Sequence, residues 1–432
     1  MNEANTLTRR QVLKLAATGV ALAGAGMIEA GCDKSAGKPQ ASPAPVAPPP
    51  PPPTPGPTGW FDVKAFGAKG DGATPDEGAI NAALQAAREA RGGVIWFPPG
   101  LYLIESQVVV EHQVTLMGAG WDGGGHPSAG SWIMTKTPGV NVEIRGRGTL
   151  VQGIGFSQSQ PSHSHDSKED WTPTNHDFAI VVAADDVFLK QIHLLPCTRG
   201  IKIMSAGRAI LDHIFGQPLT TGIEIDNAKD VVKVNNVHFW GFWSGDHPVR
   251  AWMSKNGTGL NCLRVDNPQF SNLFFLGYNR GIAFGASAHG ITSKFKITNA
   301  DCDSCETGIE VGGENTTGDV VNFSCQGSPG NIGISIVSPG IKVFLSHTRI
   351  TNYRQNALRA VGNATRIFVD NLWAQGWNKA NTGAPGVAAA DGATVYLGRP
   401  LYFEDGGGAP VWQGTNGGQV MTGYDQMICA PG

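Results

Sequence analysis

From Val187 onward apolar and polar residues alternate in short runs, the two-residue period of strands whose successive side chains face opposite ways. The set Val187, Leu189, Ile192, Leu194, Ile201 and Ile203 returns 22 residues later as Ala209, Leu211, Ile214, Gly216, Ile223 and Ile225. Its central apolar position can be followed through Ile154, Ile192, Ile214, Val237, Leu273, Ala300, Phe323, Thr348 and Leu372, in steps of 22 to 38 residues. A glycine followed by an aliphatic residue opens a second strand: Gly200-Ile201, Gly222-Ile223, Gly259-Leu260, Gly281-Ile282, Gly308-Ile309 and Gly333-Ile334. Short strands recurring at this period predict a solenoid.

The residue before each central position is Gln191, His213, Asn236, Asn272, Asn299, Asn322, His347 or Asn371. Stacked at a strand spacing of about 4.8 Å, such side chains form a ladder of amide hydrogen bonds at a turn. A leucine-rich repeat shares the period, but its dense leucines are missing and two strands stand in each copy. The pattern therefore predicts an all-β, right-handed parallel β-helix. Upstream, Thr74 and Glu77 have capping-box spacing, Pro75 suits a first helical position, Ile80, Ala83, Leu84 and Ala87 form an apolar stripe, and Gly92 ends the segment. This predicts a helix capping the open N-terminal end of the solenoid.

Composition fits a turn-rich chain with an apolar interior: 59 of 432 residues are glycine and only 16% are charged. The formal charge of −3 argues against a nucleic-acid partner. Residues 1–31 read as an export signal, because Thr8 to Lys14, TRRQVLK, resembles the twin-arginine motif. Its loss removes three basic and two acidic residues and leaves a charge of −4. Ala30-Gly31-Cys32 resembles the end of a lipobox, with Glu29 where leucine is usual, so Cys32 is the expected lipidation site and membrane tether. Residues 32–59 are a proline-rich linker, including Pro48 to Pro53 in succession, and residues 60–432 form one domain whose end, from about 393, closes the solenoid. The expected location is periplasmic or at the cell surface. Nothing in the sequence specifies an oligomeric state.

Of the remaining cysteines, Cys302 and Cys325 share one inward position in successive repeats, which predicts stacked buried thiols before a bridge. Cys302-x-x-Cys305 has no second pair at matching spacing, and no metal site is expected from it.

The segment FGAKGDG at Phe66 to Gly72, AINAA at Ala79 to Ala83 and FPPGLYLI at Phe97 to Ile104 resembles the opening motif of the pectate-lyase-like superfamily, with its rhamnogalacturonase-, epimerase-, polygalacturonase- and tailspike-like members. That resemblance implies a right-handed β-helix acting on polysaccharide. The motif is architectural and does not choose the reaction.

Two repeats carry large insertions at one position, Ser157 to Asp177 and Trp240 to Thr258, which predicts two walls of a cleft on one face. The first wall offers Asp166, Glu169, Asp170, Trp171, His176 and Asp177; the second offers Trp240, Trp243, Asp246, His247, Arg250 and Trp252. Flat aromatic faces beside charges suit sugar rings. His163 and His165 read as a loop pair before a metal site. Polygalacturonase-like hydrolases place catalytic aspartates just before the Gly-Ile strands; there this chain has Asp177, then Arg199 and Thr221, without the paired aspartates.

Two chemistries stay open. Hydrolysis draws on Asp177 with Asp166, Glu169 or Asp170. β-Elimination from a uronic acid draws on Arg199, Lys202 and a loop histidine, with calcium on the acidic loop an admissible, not a required, cofactor. A salt bridge from Arg199 to Asp177, and a ladder pair between Lys202 and Glu224, are the structural readings of those cations. The reading is an exported glycoside hydrolase; the alternatives are a polysaccharide lyase and a non-catalytic carbohydrate-binding or attachment protein.

Overall fold

A computed structural model describes residues 59–165 and 170–423. Strands stack in parallel, coil upon coil, into a right-handed β-helix, the hand that parallel β crossovers adopt. Every central apolar position pairs with the next: Ile154 with Ile192, Ile192 with Ile214, and so on through Val237, Leu273, Ala300, Phe323, Thr348 and Leu372. The Gly-Ile strands stack the same way, from Ile201 through Ile223, Leu260, Ile282 and Ile309 to Ile334. These columns are fully buried and form the core.

Two local devices explain the repeat. The residue before each central position is left-handed, with φ between 53° and 56° from Gln191 through Asn371, and this one residue bends the coil. Asparagine tolerates that conformation better than most side chains. Its amide then joins the coils: Asn272 donates to Asn235, Asn299 to Asn272 and Asn322 to Asn299. Asn299→Gly, which keeps the conformation and loses the bonds, is expected to cost less than Asn299→Ala, which loses both; thermal unfolding should separate them by about 1–2 kcal/mol. The glycines before the second strand stack tightly. A Cβ on Gly200, Gly222 or Gly259 would stand 2.4, 2.3 or 2.7 Å from the next glycine's carbonyl oxygen.

The helix α1, Glu77–Glu89, buries Ile80, Ala83 and Ala87 and packs on strands Trp60–Asp62, Val94–Phe97 and Val108–Val110. Its start differs from the expected capping box. Pro75 ends strand Asp71–Pro75, Asp76 is the N-cap, and the Thr74 hydroxyl donates to Asp71. The buried Asp76 carboxylate instead accepts the amides of Lys69 and Gly70 at 2.6 and 3.0 Å, and so anchors the FGAKGDG loop. At the far end, Thr394–Leu397 and Leu401–Glu404 continue the parallel stack on Arg366–Gln375, so the chain beyond 393 adds coil where a closing segment was expected. Cys302 and Cys325 stand in register on adjacent coils as buried free thiols, and Cys197, Cys262 and Cys305 are buried free thiols elsewhere in the core. Cys32 and Cys429 lie outside the described residues, as does the export segment.

Candidate functional site

The two insertions clasp each other. His163 Nε2 lies 2.8 Å from Ser244 Oγ and 3.2 Å from Asp246 Oδ2, and His165 Nδ1 lies 2.5 Å from Asp246 Oδ1. The His163, Trp171 and Trp243 rings form a mutual triangle, with centroids 4.8 to 6.0 Å apart. The expected cleft between the walls is therefore closed by their contact. Rings that would have faced sugars bury one another, and the buried Gln217 fixes the second loop by accepting the amides of Trp243 and Ser244. The hydrogen bond from His165, then the histidine charges, hold the Asp246 carboxyl below its usual range.

The other expected residues divide by environment. His176 is fully buried, with Nε2 2.9 Å from the Ser159 carbonyl, and burial lowers its pKa. Arg199 donates to the His176 carbonyl at 2.5 Å, where a bridge to Asp177 was the expected structural role. Asp177 is exposed and accepts the Phe178 amide. Lys202 pairs with Glu224 at 3.1 Å, as its ladder position implied. Trp252 is half-buried and donates to Thr220, whereas Trp240 is 46% exposed. Asp170, His247 and Arg250 are exposed, the last two on α2, His247–Asn256. Asp166 and Glu169 lie outside the described residues; among the described residues no three His, Cys, Asp or Glu side chains converge as a metal site. The row runs from Phe178 through Arg199, Thr221, Thr258 and Arg280 to Thr307, and brings no second carboxylate to Asp177.

A better-equipped surface runs along the strands that follow the asparagine bend. One residue past each central position faces outward, and stacking aligns His193, Phe215, His238, Phe274, Asp301, Ser324, Arg349, Trp373 and Tyr402. The column changes character along its length. Phe215 and His238 stack with an interplanar angle of 9°, and Phe274 lies 4.7 Å from His238. Next come Asp301 and, two residues on, Asp303, followed by Ser324, which donates to Asp301. Arg349 then lies over the Trp373 ring at 4.9 Å, and Tyr402 lies 4.8 Å beyond Trp373.

Two adjoining cavities share Phe274 and Asp301. One, of about 400 Å³, is lined by Phe215, His238, Phe274 and the ladder residues His213, Asn236, Asn272 and Asn299. The other, of about 170 Å³, is lined by Asp301, Asp303, Gln326, Arg349 and Thr351. Desolvation in this groove, then the Asp303 charge, raise the Asp301 pKa. Such a carboxyl keeps its proton at a higher pH than an ordinary one and can donate it. Residues i and i+2 of a strand stand about 6.6 Å apart on one face, so Asp301 and Asp303 share the lining of the second cavity. Reading the repeats as columns, one residue past the centre, would have exposed this aromatic, acidic and cationic succession in the sequence.

Residues 60–129 match the family model described as rhamnogalacturonase A/epimerase, pectate lyase-like. Alginate lyase 7 of Azotobacter vinelandii is 40% identical over 67 residues, which are 14% of this chain and 8% of that protein. Mannuronan C5-epimerase AlgE3 of the same organism is 40% identical over 67 residues, 14% of this chain and 4% of that protein. The chain thus spans under a tenth of the length of these relatives. The crystal structure of the Agl-KA catalytic domain aligns with a TM-score of 0.58 at 14% identity, over 85% of this chain and 69% of that one, a likeness of fold.

Proposed function

We propose that this chain, a parallel β-helix of the pectate-lyase-like superfamily, is a polysaccharide-cleaving enzyme, a glycoside hydrolase, working in the groove beside its asparagine ladder. The observation that carries this reading is Asp301, a carboxyl of raised pKa set opposite Asp303 between two aromatic platforms. Asp301 supplies the proton to the leaving oxygen, and Asp303 acts as the second carboxylate on water or on the sugar. Phe274 on one side and Trp373 on the other offer apolar faces to the rings. Arg349, stacked on Trp373, adds a fixed cation that can donate hydrogen bonds to the bound chain. The reading routes no step through a metal; calcium on the acidic 157–177 loop is the ion to add and remove as a control.

The test is a panel of polysaccharides read for new reducing ends and, separately, for the ultraviolet absorbance of unsaturated uronates. Reducing ends without absorbance, lost in Asp301→Asn and kept in Asp177→Ala and Arg199→Ala, support hydrolysis in the groove. Absorbance lost in Arg199→Ala or Arg349→Ala would support the lyase instead, and retained binding without any product the attachment protein.

Export by the twin-arginine route and anchoring through Cys32 complete the proposal, supported by the motif at Thr8 to Lys14 and by Ala30-Gly31-Cys32. Cys32→Ser is expected to move the protein from the membrane fraction to the soluble one; an unchanged distribution would exclude the anchor.

A further inference from the structure

The groove has one blocked end. The column that forms it begins under a roof: His193 is fully buried, with Trp121 at 4.4 Å, Trp132 at 5.5 Å and Phe242 at 5.5 Å from its ring. Burial drives the His193 pKa down to about 4, against the opposing pull of the Asp122 backbone and charge, so the ring serves as a neutral flat filler. Gly155 lies beneath because a Cβ there would stand 2.3 Å from the Trp132 ring.

The roof itself comes from two loops. Trp121, on the loop between strands Thr115–Gly118 and Ser131–Thr135, reaches across to the Gln191 carbonyl at 2.8 Å and covers the Phe215 ring at 5.5 Å. Phe242, from the second insertion, closes on His238 at 5.6 Å. The clasp between the two insertions holds this second loop in place. Past His238 the aromatic cavity continues to Asp301, and the adjoining one from there to Arg349.

Resting on the hydrolase reading above, we infer that the enzyme acts from a chain end, and that Trp121 and Phe242 set the length of the piece released. From Phe215 to Asp301 there are three strand steps, about 14 Å, which is room for about two or three pyranose rings between wall and carboxyls. A polymer threaded along the axis cannot pass the wall, so its terminus must lie against Phe215 and His238. The cut then falls a fixed distance from that terminus. Beyond the carboxyls, Arg349, Trp373 and Tyr402 carry the rest of the chain towards the open end of the groove.

The experiment follows product sizes from the first turnovers of the full-length protein on a substrate cleaved in the panel, with chains left free or chemically blocked at either end. One short oligosaccharide, present from the earliest time, with little early fall in viscosity, is expected. Blocking the end that enters the pocket should lower the initial rate at least about tenfold, and Trp121→Ala or Phe242→Ala should reduce that loss to about threefold or less while adding longer products. Mixed product sizes from the wild-type protein, lost in Asp301→Asn, would overturn chain-end action and leave the hydrolase reading intact. Activity that survives Asp301→Asn, or no turnover of any polymer, would overturn both. Because the wild-type product pattern decides, a roof variant that misfolds does not blunt the test.

Discussion

Asp301→Asn is expected to lower kcat by about 10²–10⁴-fold on the cleaved polysaccharide, the range that a positioned proton donor contributes. Asparagine keeps the size and the hydrogen bond from Ser324 but has no proton to give. The pH profile adds a second check. Desolvation and the Asp303 charge raise the Asp301 pKa, so the wild-type rate should fall on the alkaline side as Asp301 loses its proton. Asp303→Asn removes one of those two causes, and whatever rate remains should fall at lower pH than in the wild type. An unchanged alkaline limb in Asp303→Asn would separate Asp301 from the proton transfer.

The same shift has a sign for stability. A carboxyl whose pKa is raised on folding binds its proton more tightly in the native state, so its contribution is complete below the unfolded pKa and is lost as pH rises through the folded value. Above the folded value the lost proton leaves a partly desolvated charge beside Asp303, which opposes folding. Asp301→Asn should therefore be at least as stable as the wild type there, and a melt that shows this also shows that lost activity is not lost fold. Activity bought with local instability is what a working site often displays.

Ile223→Ala is expected to lower the unfolding free energy by about 2–5 kcal/mol, and Ile223→Val by only about 0.5–1.5 kcal/mol. Ile223 is fully buried and is stacked between Ile201 and Leu260, so truncation leaves a void that two coils border. Gly222→Ala, one residue away, adds rather than removes volume. Its Cβ would stand 2.3 Å from both the Gly259 carbonyl oxygen and the Phe239 ring, and overpacking of this kind costs about 1–3 kcal/mol. Urea unfolding of the three variants checks the order. Equal stability of Ile223→Ala and the wild type would contradict the stacked core.

The coil was legible because its causes are local and repeated. Apolar alternation, one left-handed residue in each bend and one glycine at each close approach recur at almost the same spacing, so each copy corroborated the last, and the residue pairings from Ile154 to Leu372 follow directly. The helix start departs from the capping-box pattern for a local reason too. Asp76, Thr74 and Glu77 all have capping chemistry, and only the folded loop at Lys69 and Gly70 claims the Asp76 carboxylate.

The site was less legible. Charged and aromatic residues crowd the two insertions in sequence, and their abundance pointed there; in the structure His163, Trp171, Trp243 and Asp246 spend those groups on one another. Asp301-Cys302-Asp303 reads along the chain as an ordinary strand edge around a buried thiol. Stacking gives it meaning, since it sets Phe274 one coil before and Arg349 two coils after the carboxylates, at sequence distances that no motif spans. What the sequence alone determined is the coil, through short-range periodicity; what only the tertiary structure decided is which outward residues become neighbours, because insertions of unequal length change the spacing along the chain but not the rise from one coil to the next.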